Sequence, residues 1–257
     1  MRDDERVTVE ALDGGSMSGT VRVANTVRRT AGPWTPTIHR LLRHLHASGV
    51  AWVPRPLGMT DEPQAREVLT FVPGTVPQDP MPPWVWTDAV LIDAAARLSA
   101  LHGAGCDFDA AGGCWQVPVH APAEVICHND FAPYNLVFDS SRAIVGVIDW
   151  DTASPGPRVW DVAYLAYRLV PLAGPKNPDL GGRGDRAGRR RRLALLCRTY
   201  GHDLDPADVA ATAVRRLREL ADFAAVRAGA GAPHLDDHAR LYRDDADWLG
   251  ASLQELR

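Results

Sequence analysis

Cys127-His128-Asn129-Asp130-Phe131-Ala132-Pro133-Tyr134-Asn135-Leu136-Val137-Phe138-Asp139-Ser140-Ser141-Arg142-Ala143-Ile144-Val145-Gly146-Val147-Ile148-Asp149-Trp150-Asp151 is the stretch on which the reading of this chain turns. Residues 136–138 and 143–148 are short, β-branched and apolar, and the polar residues 139–142 separate them, so they read as the two strands of a hairpin. Pairing centred on Arg142 sets Asn135 and Asp149 side by side at the open end. Asp130 lies five residues before Asn135, in a segment that Pro133 keeps out of regular helix or strand. An amide oxygen and a carboxylate side by side suit a hard cation, and a second carboxylate close by suits a base. Magnesium-dependent phosphoryl transfer needs that combination.

Working outward, 257 residues with 46% apolar and 23% charged composition bound a soluble globular chain, large enough for one sizeable domain or two lobes. A net charge of −4 gives no reason to propose nucleic acid. No run is long enough to span a membrane, and the charged start Met1-Arg2-Asp3-Asp4 leads into no apolar segment, so the expectation is a cytoplasmic protein, monomeric or homodimeric. Cys106, Cys114, Cys127 and Cys197 form no C-x-x-C pair and read as reduced structural thiols. Lys176 is the single lysine among 28 basic residues, which excludes a Walker A loop and any lysine chemistry in the first half of the chain.

Toward the N-terminus, residues 7–12 and 20–29 read as strands, the second with Val21, Val23 and Val27 on one face. The Gly-Gly-Ser connection at 13–19 is either ordinary turn chemistry or a loop whose amides approach a phosphate. Thr35 reads as the N-cap of a helix with Pro36 at its first position, an Ile38, Leu41, Leu42, Leu45 stripe and an end at Gly49. Its three histidines, His39, His44 and His46, read as surface or packing residues. Residues 53–57 and 67–72 read as further strands. Five prolines within 73–83 mark a boundary, dividing the chain into an N-terminal lobe at 1–74 and a C-terminal lobe at 75–257. Residues 87–102, 160–169, 189–200, 206–228 and 236–256 are helical by pattern. The Arg189–Arg192 run reads as a solvated helix start. Asp236, Asp237, Asp244, Asp245 and Asp247 make the last helix acidic, either a solvated face or a surface suited to a cationic substrate.

The order and spacing of His128-Asn129-Asp130, Asn135, Ile148-Asp149-Trp150-Asp151 and Asp161-Val162-Ala163 resemble the aminoglycoside phosphotransferase family. Residues 98–102 and 68–74 resemble that family's helix before the catalytic loop and its hinge strand. The resemblance implies an α+β, protein-kinase-like two-lobed fold with a small β-rich N-terminal lobe and a larger, mainly helical C-terminal lobe. It implies a small-molecule kinase using ATP or GTP and magnesium, as in antibiotic resistance. Asp130 is expected to take the proton of the substrate hydroxyl, and Asn135 and Asp149 to hold the metal. His128, Asp151 and Asp161 are expected to support them, and Thr70, Phe71 and Val72 to offer backbone groups to the nucleotide base.

Three departures from the family pattern stand out. Asn129 occupies a position where glycine is usual. The strand lysine that holds the phosphates is absent, with Arg28 or Arg29 as its natural substitute. The following helix carries no acidic partner, a role open to Glu67. The expected activity is transfer of a phosphate to a hydroxyl of a small molecule, aminoglycoside-like or another alcohol. The alternative is a catalytically weak, kinase-like binding or immunity protein that sequesters a small molecule or peptide. A protein kinase is disfavoured, because only a short Pro155-Gly156-Pro157 turn follows Asp149-Trp150 where an activation loop belongs.

Overall fold

The computed structural model describes residues 9–11, 19–61 and 64–255. Most of the 13–19 connection, and with it the phosphate-loop expectation, lies outside the described residues. Five antiparallel strands form one sheet: β1 (Val9–Ala11), β2 (Val21–Val23), β3 (Thr26–Thr30), β4 (Pro56–Met59) and β5 (Arg66–Thr70), in the order β1-β2-β3-β5-β4. The single strand expected over 20–29 is two strands. Ala24 takes φ +55° and the Thr26 hydroxyl donates to the Val23 carbonyl at 2.8 Å, closing a two-residue turn within the apolar run. Pro54 and Pro56 lack amide donors, so β4 begins three residues later than the apolar pattern suggested, and its register shifts between Pro56 and Gly58.

Helix α1 (Thr35–Ala47) packs beside the sheet and buries Ile38, Leu41, Leu42 and Leu45, the stripe read from the sequence. Trp34, not Thr35, holds the N-cap position, and the Thr35 hydroxyl accepts from the Gly32 amide at 2.9 Å instead of capping the helix. The proline-rich segment then lies against the hairpin. Thr75 exchanges 2.8 Å backbone bonds with Phe138. A Cβ at Gly146 would fall 2.4 Å from Val72 Cγ1, which accounts for glycine in a strand otherwise apolar.

The remaining described helices are α2 (Asp88–Gly105), α3 (Arg158–Leu169), α4 (Arg186–Tyr200), α5 (Pro206–Gly229) and α6 (Leu235–Ser252). The threonine before α2 caps it, accepting from Val90 N. Every residue of α3 from Trp160 to Leu169 is buried, so this helix forms the middle of the core and not one of its faces. Helix α4 starts three residues earlier than its apolar pattern, because Asp185 accepts from the Gly188 amide at 2.7 Å. Its arginines are not simply solvated: Arg191 and Arg192 both bond Asp88 at the start of α2.

Two short antiparallel pairs carry the loop that the sequence singled out. Strands β6 (Val125–Cys127) and β9 (Ser154–Gly156) pair and close its base. Strands β7 (Leu136–Phe138) and β8 (Ile144–Val147) form the hairpin inside it. Its register differs by one from the expected one: Leu136 faces Val147, and a bulge lies between Val137 and Phe138. The cause is the turn, where Arg142 sits at φ +68° and the Asp139 carboxylate accepts from the amides of Ser141 and Ala143. Asn135 therefore lies opposite Ile148, whose amide donates to its carbonyl at 3.0 Å, and Asp149 sits one residue further on.

Candidate active site

Asp161 sets the loop. Fully buried on α3, it accepts from the His128 amide at 2.6 Å, the Asn129 amide at 2.8 Å and His102 Nε2 at 3.1 Å. Burial works against its charge, but the bond from His102 and the surrounding donors outweigh this and hold its pKa below the usual carboxylate range. Asn129 has φ +64°, a conformation asparagine tolerates better than most residues, which accounts for its standing where glycine is usual. Its Nδ2 donates to the Thr152 carbonyl at 2.8 Å and to Ser154 Oγ at 2.9 Å. His128 is kept neutral by burial, and its Nε2 lies 3.0 Å from the Ile148 carbonyl, tying the loop to the end of β8.

The loop so fixed presents Asp130 with both oxygens engaged. Oδ1 accepts from the Tyr134 hydroxyl at 2.6 Å and Oδ2 from Asn135 Nδ2 at 2.8 Å. Burial pushes the Asp130 pKa up to about 6, against the Tyr134 bond, which holds it down. Tyr134 in turn lies 2.7 Å from the hydroxyl of Tyr164 on α3. With its Nδ2 spent on Asp130, the Asn135 side-chain oxygen Oδ1 accepts no hydrogen bond from the described residues. Asp149, at φ +63°, is 46% exposed. These oxygens are the hard donors that a magnesium ion takes.

Arg29, on β3 of the sheet, reaches Asp149. Alternation along β3 puts Arg29 inside, and Arg28 makes no contact with these carboxylates. Arg29 Nη1 donates to Asp149 Oδ1 at 2.6 Å and Nη2 to Asp151 Oδ1 at 2.8 Å. Its Nε bonds Glu67, directly opposite it in the β3–β5 ladder. Glu67, 1% exposed, meets His39 Nε2 of α1 at 3.0 Å through its other oxygen. The carboxylate partner thus comes from a strand, and the helix supplies a histidine to it. Burial drives the Asp151 pKa up to about 6 while Arg29 opposes the shift.

The hinge expectation fits less well. The Thr70 amide already donates to the Arg55 carbonyl at 3.0 Å and the Phe71 amide to the Asn25 carbonyl at 2.8 Å. Arg22 lies 3.9 Å over the Phe71 ring. Of the three, only Val72 has an amide without a backbone partner among the described residues.

The acidic C-terminal helix requires a correction. Asp245 is buried, accepting from the Gly174 amide at 2.8 Å, Tyr167 at 2.8 Å and Asn177 at 2.5 Å, so it locks a loop to α6 and faces no substrate. Asp236 and Asp237 bond Arg240 on their own helix, and neither they nor Asp244 line the cleft. The cleft beside Asp130, about 610 Å³, is lined from α6 by Leu235, His238, Leu241 and Tyr242. Its other walls include Tyr164 and Arg168 of α3 and Arg216, Leu220 and Phe223 of α5, none of which the sequence pattern singled out. His102 bonds Asp161 and Tyr200, and His120 bonds Glu219.

A five-stranded sheet tied through Arg29 to a mainly helical region, whose loop carries Asp130, Asn135 and Asp149 beside a cleft, defines a kinase-like architecture. Known proteins agree. Residues 114–196 match the model of the phosphotransferase enzyme family. Over 195 residues the chain is 30% identical to the trifolitoxin immunity protein of Rhizobium leguminosarum bv. trifolii, covering 74% of this chain and 73% of that protein. A choline/ethanolamine kinase family protein of Mesorhizobium loti superposes with a TM-score of 0.61 at 16% identity, over 99% of this chain and 89% of its own. The ethanolamine kinase of Plasmodium vivax gives 0.68 at 9% identity, over 93% and 82%. An aminoglycoside phosphotransferase of Streptomyces rimosus, solved with ADP and streptomycin, gives 0.56 at 14% identity, over 82% and 92%. The chain has the protein-kinase-like fold, and it belongs to the phosphotransferase enzyme family.

Proposed function

We propose that this protein transfers the γ-phosphate of ATP or GTP to a hydroxyl of a small molecule. The observation that carries the reading is that Asp130, Asn135 and Asp149 line one 610 Å³ cleft, with Arg29 of the sheet bonded to Asp149. Asn135 and Asp149 would hold magnesium, which supplies positive charge at the phosphates as the transfer proceeds. Residues 1–74 would hold the nucleotide and residues 75–257 the acceptor. Arg29 binds phosphate oxygens once it is released from Asp149 and Asp151, as a guanidinium can do bidentately. The acceptor oxygen forms its bond to the γ-phosphorus as the bond from that phosphorus to the β–γ bridging oxygen breaks. The nucleoside diphosphate leaves with that electron pair, and the hydroxyl proton passes to Asp130. A carboxylate titrating near 6 is ionised at neutral pH and close enough to it to accept a proton.

The test is a titration of the purified protein with ATP and GTP, with and without magnesium, following melting temperature. A magnesium-dependent rise with one of them is expected, and no shift with either would remove the reading. Once an acceptor is in hand, Asp130→Asn should abolish turnover and spare nucleotide binding.

A second reading keeps the fold without the turnover. The immunity protein among the relatives, and the guanidinium lodged against Asp149, support a protein that protects by sequestering a compound or peptide. It predicts protection that survives Asp130→Asn.

A further inference from the structure

Two guanidinium groups line the cleft beside Asp130 and form no ion pair with a carboxylate among the described residues. Arg168 and Arg216 are each only 6% exposed and both line the cleft. Arg168 makes no hydrogen bond or ion pair among the described residues. Its guanidinium stands 5.1 Å from the centre of the Tyr134 ring, and its Nε is buried without a partner. Arg216 spends one Nη on the Asn129 carbonyl, stacks 5.4 Å from Tyr164, and leaves its Nε equally unpartnered. Of the carboxylates that line the cleft, Asp130 is committed to Tyr134 and Asn135, Asp149 to Arg29, Glu219 to His120 and exposed Asp222 toward Arg243, while Asp79 and Asp179 form no ion pair among the described residues; none of the six is ion-paired to Arg168 or Arg216. Arg168 acts on Asp130 through space, lowering its pKa, but touches neither oxygen.

Arginine cannot shed its proton to escape burial, so a guanidinium in this position holds a standing demand for an anion or for water. An amine placed against these two groups meets like charge. A neutral alcohol displaces water and leaves both groups dry. An anion answers both at once, and charge-assisted bonds to a fork-shaped donor are the strong kind. Outward from the arginines, Leu220, Phe223, Val226, Leu235 and Leu241 form an apolar lip, with Phe223 39% and Val226 73% exposed.

Resting on the reading that this cleft takes the phosphate acceptor, we infer that the acceptor is a hydroxyl-bearing organic acid with an apolar body. Its carboxylate is held by Arg168 and Arg216, its hydroxyl is turned to Asp130, and its body lies along α5 and α6. This reverses the cationic substrate that the acidic last helix suggested.

Calorimetric titration of the full chain decides it, with and without magnesium and a non-hydrolysable ATP analogue. Three probes share one eight-carbon body: 3-hydroxyoctanoate, its neutral amide, and 1-amino-octan-3-ol. The acid should bind at least about tenfold more tightly than the amide, which corresponds to about one charge-assisted bond, and the amine most weakly. Arg168→Gln should remove the preference for the acid without changing amide affinity, and Arg168→Lys should restore part of it. The inference is overturned if the amine or the amide equals the acid, if none of the three binds, or if the preference survives both Arg168→Gln and Arg216→Gln. Should a variant fail to fold, the comparison of acid, amide and amine on the native chain still decides. Failure of the phosphotransfer reading is separately visible, as absent magnesium–nucleotide binding beside an intact preference for the acid in the nucleotide-free titration.

Discussion

Arg29 Nη1 donates to Asp149 Oδ1 over 2.6 Å, joining a strand of the sheet to a residue 120 positions later in the chain. The same guanidinium bonds Glu67 and Asp151, so three carboxylates surround one cation. Burial alone would weaken the charge on Arg29, but Glu67, Asp151 and Asp149 together hold it firmly protonated. With all three carboxylates ionised, two negative charges remain uncompensated at the place where a magnesium–nucleotide complex would dock. The arginine is therefore a clasp between the sheet and the loop and, on the proposed function, a group that the nucleotide would draw away from Asp149.

Removing Arg29 should cost stability as well as nucleotide affinity. Glu67 is 1% exposed and would be left with His39 alone. Breaking one side of a buried pair typically costs about 3–5 kcal/mol. Arg29→Met should fall in that range by urea denaturation, and Glu67→Gln added to it should recover most of the loss. A single variant within about 1 kcal/mol of the native chain would mean that the pair is effectively solvated. Arg28→Met, on the other side of the strand, should leave nucleotide binding unchanged.

Tyr134→Phe should move the acid limb of the pH–activity profile upward. Only ionised Asp130 can accept a proton, so activity should rise with pH through about 6 and level above it. The Tyr134 hydroxyl stabilises the ionised form, and its loss raises the pKa. The limb should then shift toward neutrality by about 1 unit, the worth of one hydrogen bond of about 1.4 kcal/mol. kcat/KM against pH reads this directly, and a carboxyl NMR titration of the nucleotide-free protein reads it without an acceptor. A limb that stays in place or moves to lower pH would show that Tyr134 does not serve the ionised carboxylate.

The acidic last helix should split into one structural residue and several neutral ones. Asp245→Ala strands the Gly174 amide and two side-chain donors in a buried place, so a loss of about 2–4 kcal/mol is expected. Asp236→Ala and Asp237→Ala, whose partner is an exposed arginine, should stay within about 0.5 kcal/mol. Equal effects across the three positions would contradict the burial seen for Asp245.

How far the sequence could be read follows from the range of the interactions involved. The Ile38–Leu45 stripe and the β7–β8 hairpin rest on local periodicity, and both are where the pattern put them. The hairpin register was off by one because an Asp139 turn with a left-handed Arg142 adds a bulge that apolar spacing does not show. The choice between Arg28 and Arg29 depends on which face of β3 turns toward Asp149 and Asp151, and that is set by the pairing of β3 with β5. Arg168 and Arg216 were illegible for a stronger reason. They sit in α3 and α5, where arginine is unremarkable, and only the packing of those helices leaves their guanidinium groups without carboxylates. Asp245 looked like its neighbours because a run of acids does not reveal which one turns inward.

Asp161→Asn tests whether the loop depends on the group beneath it. The amide offers one acceptor oxygen where the carboxylate offered two, so one of the amides of His128 and Asn129 loses its partner in a fully buried place. A cost of about 3 kcal/mol is expected, with turnover lost although Asp130, Asn135 and Asp149 are untouched. The pH dependence carries a definite sign. The folded pKa of Asp161 lies below the ordinary 3.8, so its stabilisation is present above that value and is lost as pH falls through the folded pKa. Urea midpoints of the native chain and the variant should differ by a constant amount from pH 7 to about 4 and converge below it. A gap that widens on acidification, or no gap at pH 7, would mean that Asp161 is not held as an ion and that the loop is fixed by something else.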